Sequence, residues 1–362
     1  MREVVFFDFY FGVLEVLVEG AKLEAWLKEV LPKHGLLSLS VVSMVESLLK
    51  SKGIEFLAVT SRVKDVSSAV EKVKRKGYKD PEAQLTDLSG IRIIVFFESD
   101  IARVSELIRE AFEVDDKNSS DKYMSLSVNQ IGYRSAHFVC DLGKVRYKLP
   151  EYSGMKGLKF EFQVRTVLQH AWAELAHDRN YKFSGKLPKE AERKLFLYAG
   201  MLEMIDRGFD ELSNEIDFYI KDVQVKVEAN NLDIDIDSIS LKGFVENWAE
   251  GASFTLKALS GSKDDLSDLV FELSQFGVVK ISQLEEIIPA DFSSRARAIG
   301  YAATIYGVVR DWMLIHDWRK FKRDVVVNWI MSNEDMIFEY LTGVDVYEFK
   351  QAFPPHYDGF LD

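Results

Sequence analysis

Gly90-Ile-Arg-Ile-Ile-Val-Phe-Phe97 carries one charge in an otherwise apolar run. A short run of this kind reads as a strand buried inside a sheet. Asp87-Leu-Ser precedes it. Ile101 to Phe112 follows with apolar residues at helical spacing. Arg134 to Cys140 and Leu158 to Arg165 are further strand candidates, and Val167 to Tyr181 and Glu190 to Tyr219 read as helices. The middle of the chain therefore alternates strand and helix, the pattern of a sheet with helices packed on it.

On the N-terminal side, Leu14, Leu17 and Val18, then Leu23, Trp26, Leu27 and Val30, recur at helical spacing. Pro32, His34 and Gly35 predict a break, with a second helix over Ser40 to Lys52. On the C-terminal side the composition shifts near Asp222. Asn230-Asn-Leu-Asp-Ile-Asp-Ile-Asp237 is acidic and lacks helical period, which predicts a linker. Beyond it, Leu266, Leu269, Val270, Leu273 and Phe276 form one helical stripe, and Ile299, Ala302, Ile305, Tyr306 and Val309 form part of another. These predict a helical bundle. Its Trp312, Trp318 and Trp329 are expected in the core, and His316-Asp317 is expected to be structural. The resulting division is 1–55 an N-terminal helical segment, 56–222 the mixed domain, 223–240 a linker and 241–362 a mostly helical C-terminal domain.

The chain has 362 residues, 47% of them apolar, and a net charge of −12. That composition supports a sizeable core and argues against global disorder. The acidic balance argues against wholesale coating of nucleic acid but leaves room for a local basic site. Cys140 has no partner within the chain, so no intramolecular disulfide forms and a reducing compartment is expected. The apolar stretch from Val4 to Val18 is interrupted by Asp8 and Glu15 and does not read as a signal peptide, and the run from Ala298 to Val309 is too short to span a bilayer. A soluble, cytoplasmic protein is expected.

Five stretches could carry chemistry. Arg62, Lys64 and a helix from about Val66 hold the first. On that helix Val66, Val70 and Val73 share one face, and Ser68, Lys72 and Arg75 share the other, with Lys76 on its flank. Cations converging on one face suit polyphosphate, although a solvated helix back has the same pattern. Asp87 stands just before the central strand, where an acid can hold Mg²⁺ or simply make a turn. In Phe160-Glu-Phe-Gln-Val-Arg-Thr166, alternation puts Glu161, Gln163 and Arg165 on one face, lining a polar cavity or facing water. In Gly132-Tyr-Arg-Ser-Ala-His137, Tyr133 can stack on a base and Arg134 can meet phosphate, or the tyrosine can pack on the sheet. On the last stretch His170, Glu174, His177 and Tyr181 share a helix face. The spacing is not His-Glu-x-x-His and no cysteine cluster accompanies it, so zinc is not expected.

The order of these stretches is more telling than any one of them. Arg-x-Lys-x(3)-Ser-x(3)-Lys-x-x-Arg-Lys, Asp-x-x-Gly-x-Arg, Gly-Tyr-Arg-Ser-x-His, Glu-x-Gln-x-Arg-Thr and His-x-Trp-Ala-Glu-x-x-His-x-x-x-Tyr-Lys resemble the RelA/SpoT alarmone synthetase family. The resemblance runs from about Phe56 to about Asp222, slightly under half the chain.

The resemblance implies a nucleotidyltransferase-like synthetase fold, a mixed sheet of about five strands flanked by helices. It implies transfer of pyrophosphate from ATP to the 3′-oxygen of GTP or GDP, making (p)ppGpp. Arg62, Lys64, Ser68, Lys72, Arg75 and Lys76 would bind the ATP phosphates. Asp87 and Glu161 would be catalytic and hold Mg²⁺, with Glu161 also helping to deprotonate the attacking hydroxyl. Tyr133 would stack on the acceptor guanine, and Arg134, Gln163, Arg165 and His170 would line the acceptor pocket. Many relatives carry Pro-Lys just before Gly-Tyr-Arg-Ser, where this chain has Ser127-Val-Asn-Gln-Ile131 and no cation. Only His34 is a histidine ahead of the motifs, so the hydrolase of long family members is not expected. Residues beyond about 225 do not resemble the sensing domains of those long enzymes. Two other readings stand beside this one. Some compact relatives pyrophosphorylate the 3′ end of tRNA as toxins restrained by a fused C-terminal domain, and a degenerate synthetase would only bind nucleotide. The retained Asp87 and Glu161 argue against the second. A homo-oligomer and a regulatory protein bound to the C-terminal domain are possible partners on the same resemblance.

Overall fold

The computed structural model describes residues 3–121, 135–182, 188–258, 265–327, 329 and 336–353, with side chains at 3–19, 120–121 and 176–182 left aside. It divides into two compact units, Met1–Ser213 and Asn214–Asp362. The first runs α1 (Glu3–Ser51), β1 (Phe56–Val63), α2 (Val66–Lys76), α3 (Pro81–Gln84), β2 (Ser89–Val95), α4 (Glu98–Ala111), β3 (Glu113–Val114), β4 (Ser120–Asp121), β5 (Ala136–Asp141), α5 (Gly143–Arg146), β6 (Phe160–Thr166), α6 (Val167–Lys182) and the start of α7 (Lys189–Glu228).

The sheet is mixed. Its path is β1-β2-β6-β5-β3, and β4 also pairs with β5. The apolar run read first is β2, parallel to β6 and antiparallel to β1. Ile91, Ile93 and Val95 are buried in one cluster with Phe160, Phe162 and Val164, as period-two alternation requires. β1 was not anticipated. Only Val59 of its residues is fully buried, so Phe56-Leu-Ala-Val-Thr-Ser-Arg-Val63 has little of the apolar alternation that marks a strand.

α1 departs from the sequence reading in a second way. It is one helix straight through Pro32. Interior proline costs ~3 kcal/mol. Leu27 and Val30 are buried on one side of it, and Leu37, Val41, Val45 and Leu49 on the other. Burying each such side chain is worth ~1.5–3 kcal/mol, so tertiary packing outweighs the break.

The second unit holds the end of α7, then α8 (Ser238–Ala252), α9 (Ser267–Gln275), α10 (Ile281–Glu286), α11 (Phe292–Ile299), α12 (Ile305–Asp324) and α13 (Val344–Ala352). Its core is built from Val223 onward, around Trp312, Phe292, Phe321 and Phe349. Trp318 is buried and Trp329 packs on the same cluster. Two expectations need correction. The acidic stretch 230–237 is not a loose connector: Leu232 and Ile234 are buried in this core, Asp235 bridges to Lys280, and Asp237 caps α8 and accepts a 2.6 Å hydrogen bond from the Tyr219 hydroxyl. Alternate Asp residues mask the Leu and Ile between them, which is why the stretch read as polar. The stripe through Ile299 also fails. α11 ends there, Gly300 turns the chain at φ 69°, and Ile299 is 50% exposed. Asp317 is non-helical within α12, and its carboxylate accepts from the Lys320 backbone N–H. No described helix is long and apolar enough to cross a membrane.

Candidate active site

α2 is fixed at both ends. The Asp65 carboxylate caps its first turn, accepting from the Ser68 backbone N–H at 2.8 Å, and Gly77 closes it at φ 62°. Its apolar face, Val66, Val70 and Val73, packs toward α1. The opposite face, with Ser68, Lys72 and Arg75, lines a cleft of about 770 Å³. Arg62 and Lys64 at the end of β1, Asp87, and Glu161 and Gln163 of β6 line the same cleft. The strand register explains this: Arg62 lies opposite Gly90, Gly90 opposite Glu161, and Arg92 opposite Gln163. Gly90 places no side chain between the β1 cation and the β6 carboxylate.

Asp87 is the electrostatic centre. Its Oδ2 accepts from Lys64 Nζ at 2.7 Å and from Lys72 Nζ at 2.6 Å. Its Oδ1 is buried and has no hydrogen-bond partner. Burial would raise this carboxyl, but the two ammonium groups hold it below the usual carboxylate range. Glu161 is held by other means. Its Oε1 meets His137 Nδ1 at 2.8 Å, and its Oε2 accepts from Gln163 Nε2 at 3.1 Å. The other ring nitrogen of His137 is hydrogen-bonded to Ser135 Oγ. Burial pushes the Glu161 carboxyl up, and the bonds from His137 and Gln163 bring it below its ordinary value.

The two carboxylates fit a hard divalent cation. The orphaned Asp87 oxygen is an open acceptor, and oxygen donors suit Mg²⁺, which takes one or two carboxylates and fills its shell with water and substrate phosphate. No group of three or more His, Cys, Asp or Glu side chains that could cage a metal occurs among the described residues.

The remaining expected residues are less uniform. Ser68 lines the cleft, but its hydroxyl donates to Asp65 at 2.8 Å. Lys76 does not line the cleft; it sits in the last turn of α2, where a cation complements the helix C-terminus. Arg165 follows in the polar row of β6 and His170 in α6, yet neither lines the cleft. His170 Nδ1 is buried without a hydrogen bond, 4.0 Å from Glu174. Tyr133 and Arg134, and the cation-free stretch Ser127–Ile131, lie outside the described residues.

Three charged cleft residues, Arg92, Glu174 and Glu71, had no role in the sequence reading, and neither did His137, which holds Glu161. Arg92 donates to Glu174 at 2.9 Å, and both line the cleft, as does Glu71. Arg92, Glu174 and His137 stood inside motifs already read. Glu71 is three residues after Ser68 and four before Arg75, so its place on the helix face was readable from spacing alone.

A family model described as "Region found in RelA / SpoT proteins" matches residues 61–186. The chain is 35% identical over 166 residues to the GTP pyrophosphokinase YjbM of Bacillus subtilis (strain 168), covering 45% of this chain and 74% of that protein. It is 30% identical over 161 residues to GTP pyrophosphokinase YwaC of the same organism, covering 43% and 73%. Among solved structures, the small alarmone synthetase 1 from Bacillus subtilis matches at 28% identity and TM-score 0.45, covering 54% of this chain and 98% of that one. With that relationship and the cleft in place, the chain belongs to the RelA/SpoT family and is a pyrophosphotransferase.

Proposed function

We propose that the chain transfers the β,γ-pyrophosphate of ATP to the 3′-hydroxyl of GTP or GDP, with Mg²⁺, releasing AMP. The observation that carries this reading is the set of cations on α2 and β1 facing Asp87 and Glu161 across one cleft. Arg62, Lys64, Lys72 and Arg75 hold the triphosphate. Lys64 and Lys72 exchange the Asp87 carboxylate for phosphate oxygens, which frees Oδ2 beside the already unpartnered Oδ1. Glu161 accepts the proton of the attacking 3′-hydroxyl while the new O–Pβ bond forms and the bond from Pβ to the AMP oxygen breaks. Mg²⁺ held by Asp87 and Glu161 would neutralise charge on the phosphates. The second unit, Asn214–Asp362, regulates this reaction or binds a regulatory partner. Curated relatives named as GTP pyrophosphokinases support the acceptor class.

The test is a transfer assay with γ-labelled ATP and Mg²⁺, offering GDP, GTP, ATP alone or deacylated tRNA. Label is expected on GDP or GTP. Glu161→Gln should lower the rate by about 10²-fold or more, since removing one preorganised group at a reacting centre costs that much. Excess EDTA should abolish transfer. Label on tRNA alone would replace the nucleotide acceptor with a translation-blocking one. Nucleotide binding without AMP release in any tube would reduce the chain to a binder.

A further inference from the structure

α2 has a second cavity on its other face. This cavity, of about 350 Å³, is lined by Val70 and Val73 where the cleft is lined by Ser68, Lys72 and Arg75, and the two share no residue. Its walls include two half-buried rings, Trp26 of α1 and Tyr78 just after α2. Exposed Lys22, Lys74 and Lys79 surround them, against one acid, Glu82, among the described lining residues. In a chain of net charge −12 this is a locally basic pocket with an aromatic lining.

That combination selects a planar aromatic group carrying an anion. Ring faces receive the plane, lysines meet the charge as flexible point cations, and the volume falls within the ~300–1,000 Å³ usual for small-molecule sites. A nucleoside monophosphate has the ring, the size and the charge. We propose that this pocket binds a purine nucleoside phosphate at a site separate from the transfer cleft. A ligand seated against Val70 and Val73 also fixes the helix that carries Lys72 and Arg75, so occupancy of one face biases the other. That coupling rests on the function proposed above; the binding does not.

The full chain labelled with 5-fluorotryptophan tests it without reading transfer. Its six tryptophans give separate ¹⁹F signals, and Trp26→Phe identifies the one from Trp26. AMP, GMP and inorganic phosphate are the probes. The expected result is a saturable shift of the Trp26 signal with AMP or GMP and none with phosphate. In Lys74→Glu/Lys79→Glu the apparent affinity should fall at least about tenfold, as loss of two phosphate contacts implies, while the other signals stay in place and report an intact fold. Three results would overturn the proposal: no Trp26 shift up to millimolar nucleotide, an equal shift with phosphate alone, or a shift that survives Lys74→Glu/Lys79→Glu and disappears in Lys72→Ala. The last would place the nucleotide in the cleft.

Discussion

Glu161 is a carboxylate whose ionisation depends on one imidazole. Burial alone would raise its pKa, and the His137 bond is the larger of the interactions that bring it down. The sign follows. A base with a depressed pKa stays active above that value and is lost as pH falls through it. Removing the His137 donor leaves burial opposed by Gln163 alone, so the pKa of Glu161 rises. In His137→Phe the acid limb of kcat/KM against pH should therefore move to higher pH. His137→Asn, whose amide can reach the Nδ1 position, should move it back part of the way. A limb unmoved in His137→Phe would show that Glu161 does not govern it. Asp87 predicts differently, because two lysine ammonium groups hold it down. Lys72→Met leaves one ammonium on Asp87 and removes one phosphate contact. It should raise KM for ATP by about tenfold or more, the order expected for one charge-assisted contact, and this is checked by initial rates at varied ATP.

At the scale of elements, α1 is tied to the sheet by a buried histidine. His34 Nδ1 lies 2.6 Å from Ser89 Oγ at the start of β2, two residues after Asp87. Burial lowers its pKa from 6.5 to about 4. The unfolded chain therefore binds a proton between those values that the folded chain does not. Stability is fully present above pH 6.5 and lost as pH falls toward about 4; the whole effect is about 3 kcal/mol. In urea titrations at pH 7 and 4.5, the wild-type midpoint should fall more than that of His34→Leu; equal slopes would remove His34 from the account. The same element shows where a sequence is legible. α2 and β6 were readable because each has one apolar and one charged face at a clean period, and both deliver their polar face to the cleft. α1 was read as broken because proline is a local signal, while the side chains that keep it one helix are buried by residues far along the chain. β1 was missed because an edge strand with one buried residue has almost no period. His137 was visible as a letter, but its bond to Glu161 crosses from β5 to β6, a pairing that spacing along one strand does not give.

For the whole molecule, the decisive fact is that the buried cores are separate. Every apolar residue clustered around the sheet and α2 precedes Ser213, and the C-terminal cluster begins at Val223. All the described residues of the candidate site lie in the first unit. A chain of residues 1–213 should then fold and carry out transfer that Glu161→Gln removes. A folded but inactive 1–213 would mean that the second unit completes the site. The reciprocal cut tests the boundary. Residues 214–362 keep Val223, Val227, Leu232 and Ile234, all buried in the C-terminal core. Starting at 241, where composition alone places the domain, deletes these side chains and the Tyr219–Asp237 bond. At ~1.5–3 kcal/mol for each buried side chain, the loss is comparable to the ~5–15 kcal/mol that holds a domain folded. Residues 214–362 should therefore give a cooperative thermal transition by circular dichroism, and residues 241–362 should give none. If 241–362 melts as sharply as 214–362, the end of α7 is a tether after all, and the acidic stretch is the linker its composition predicts.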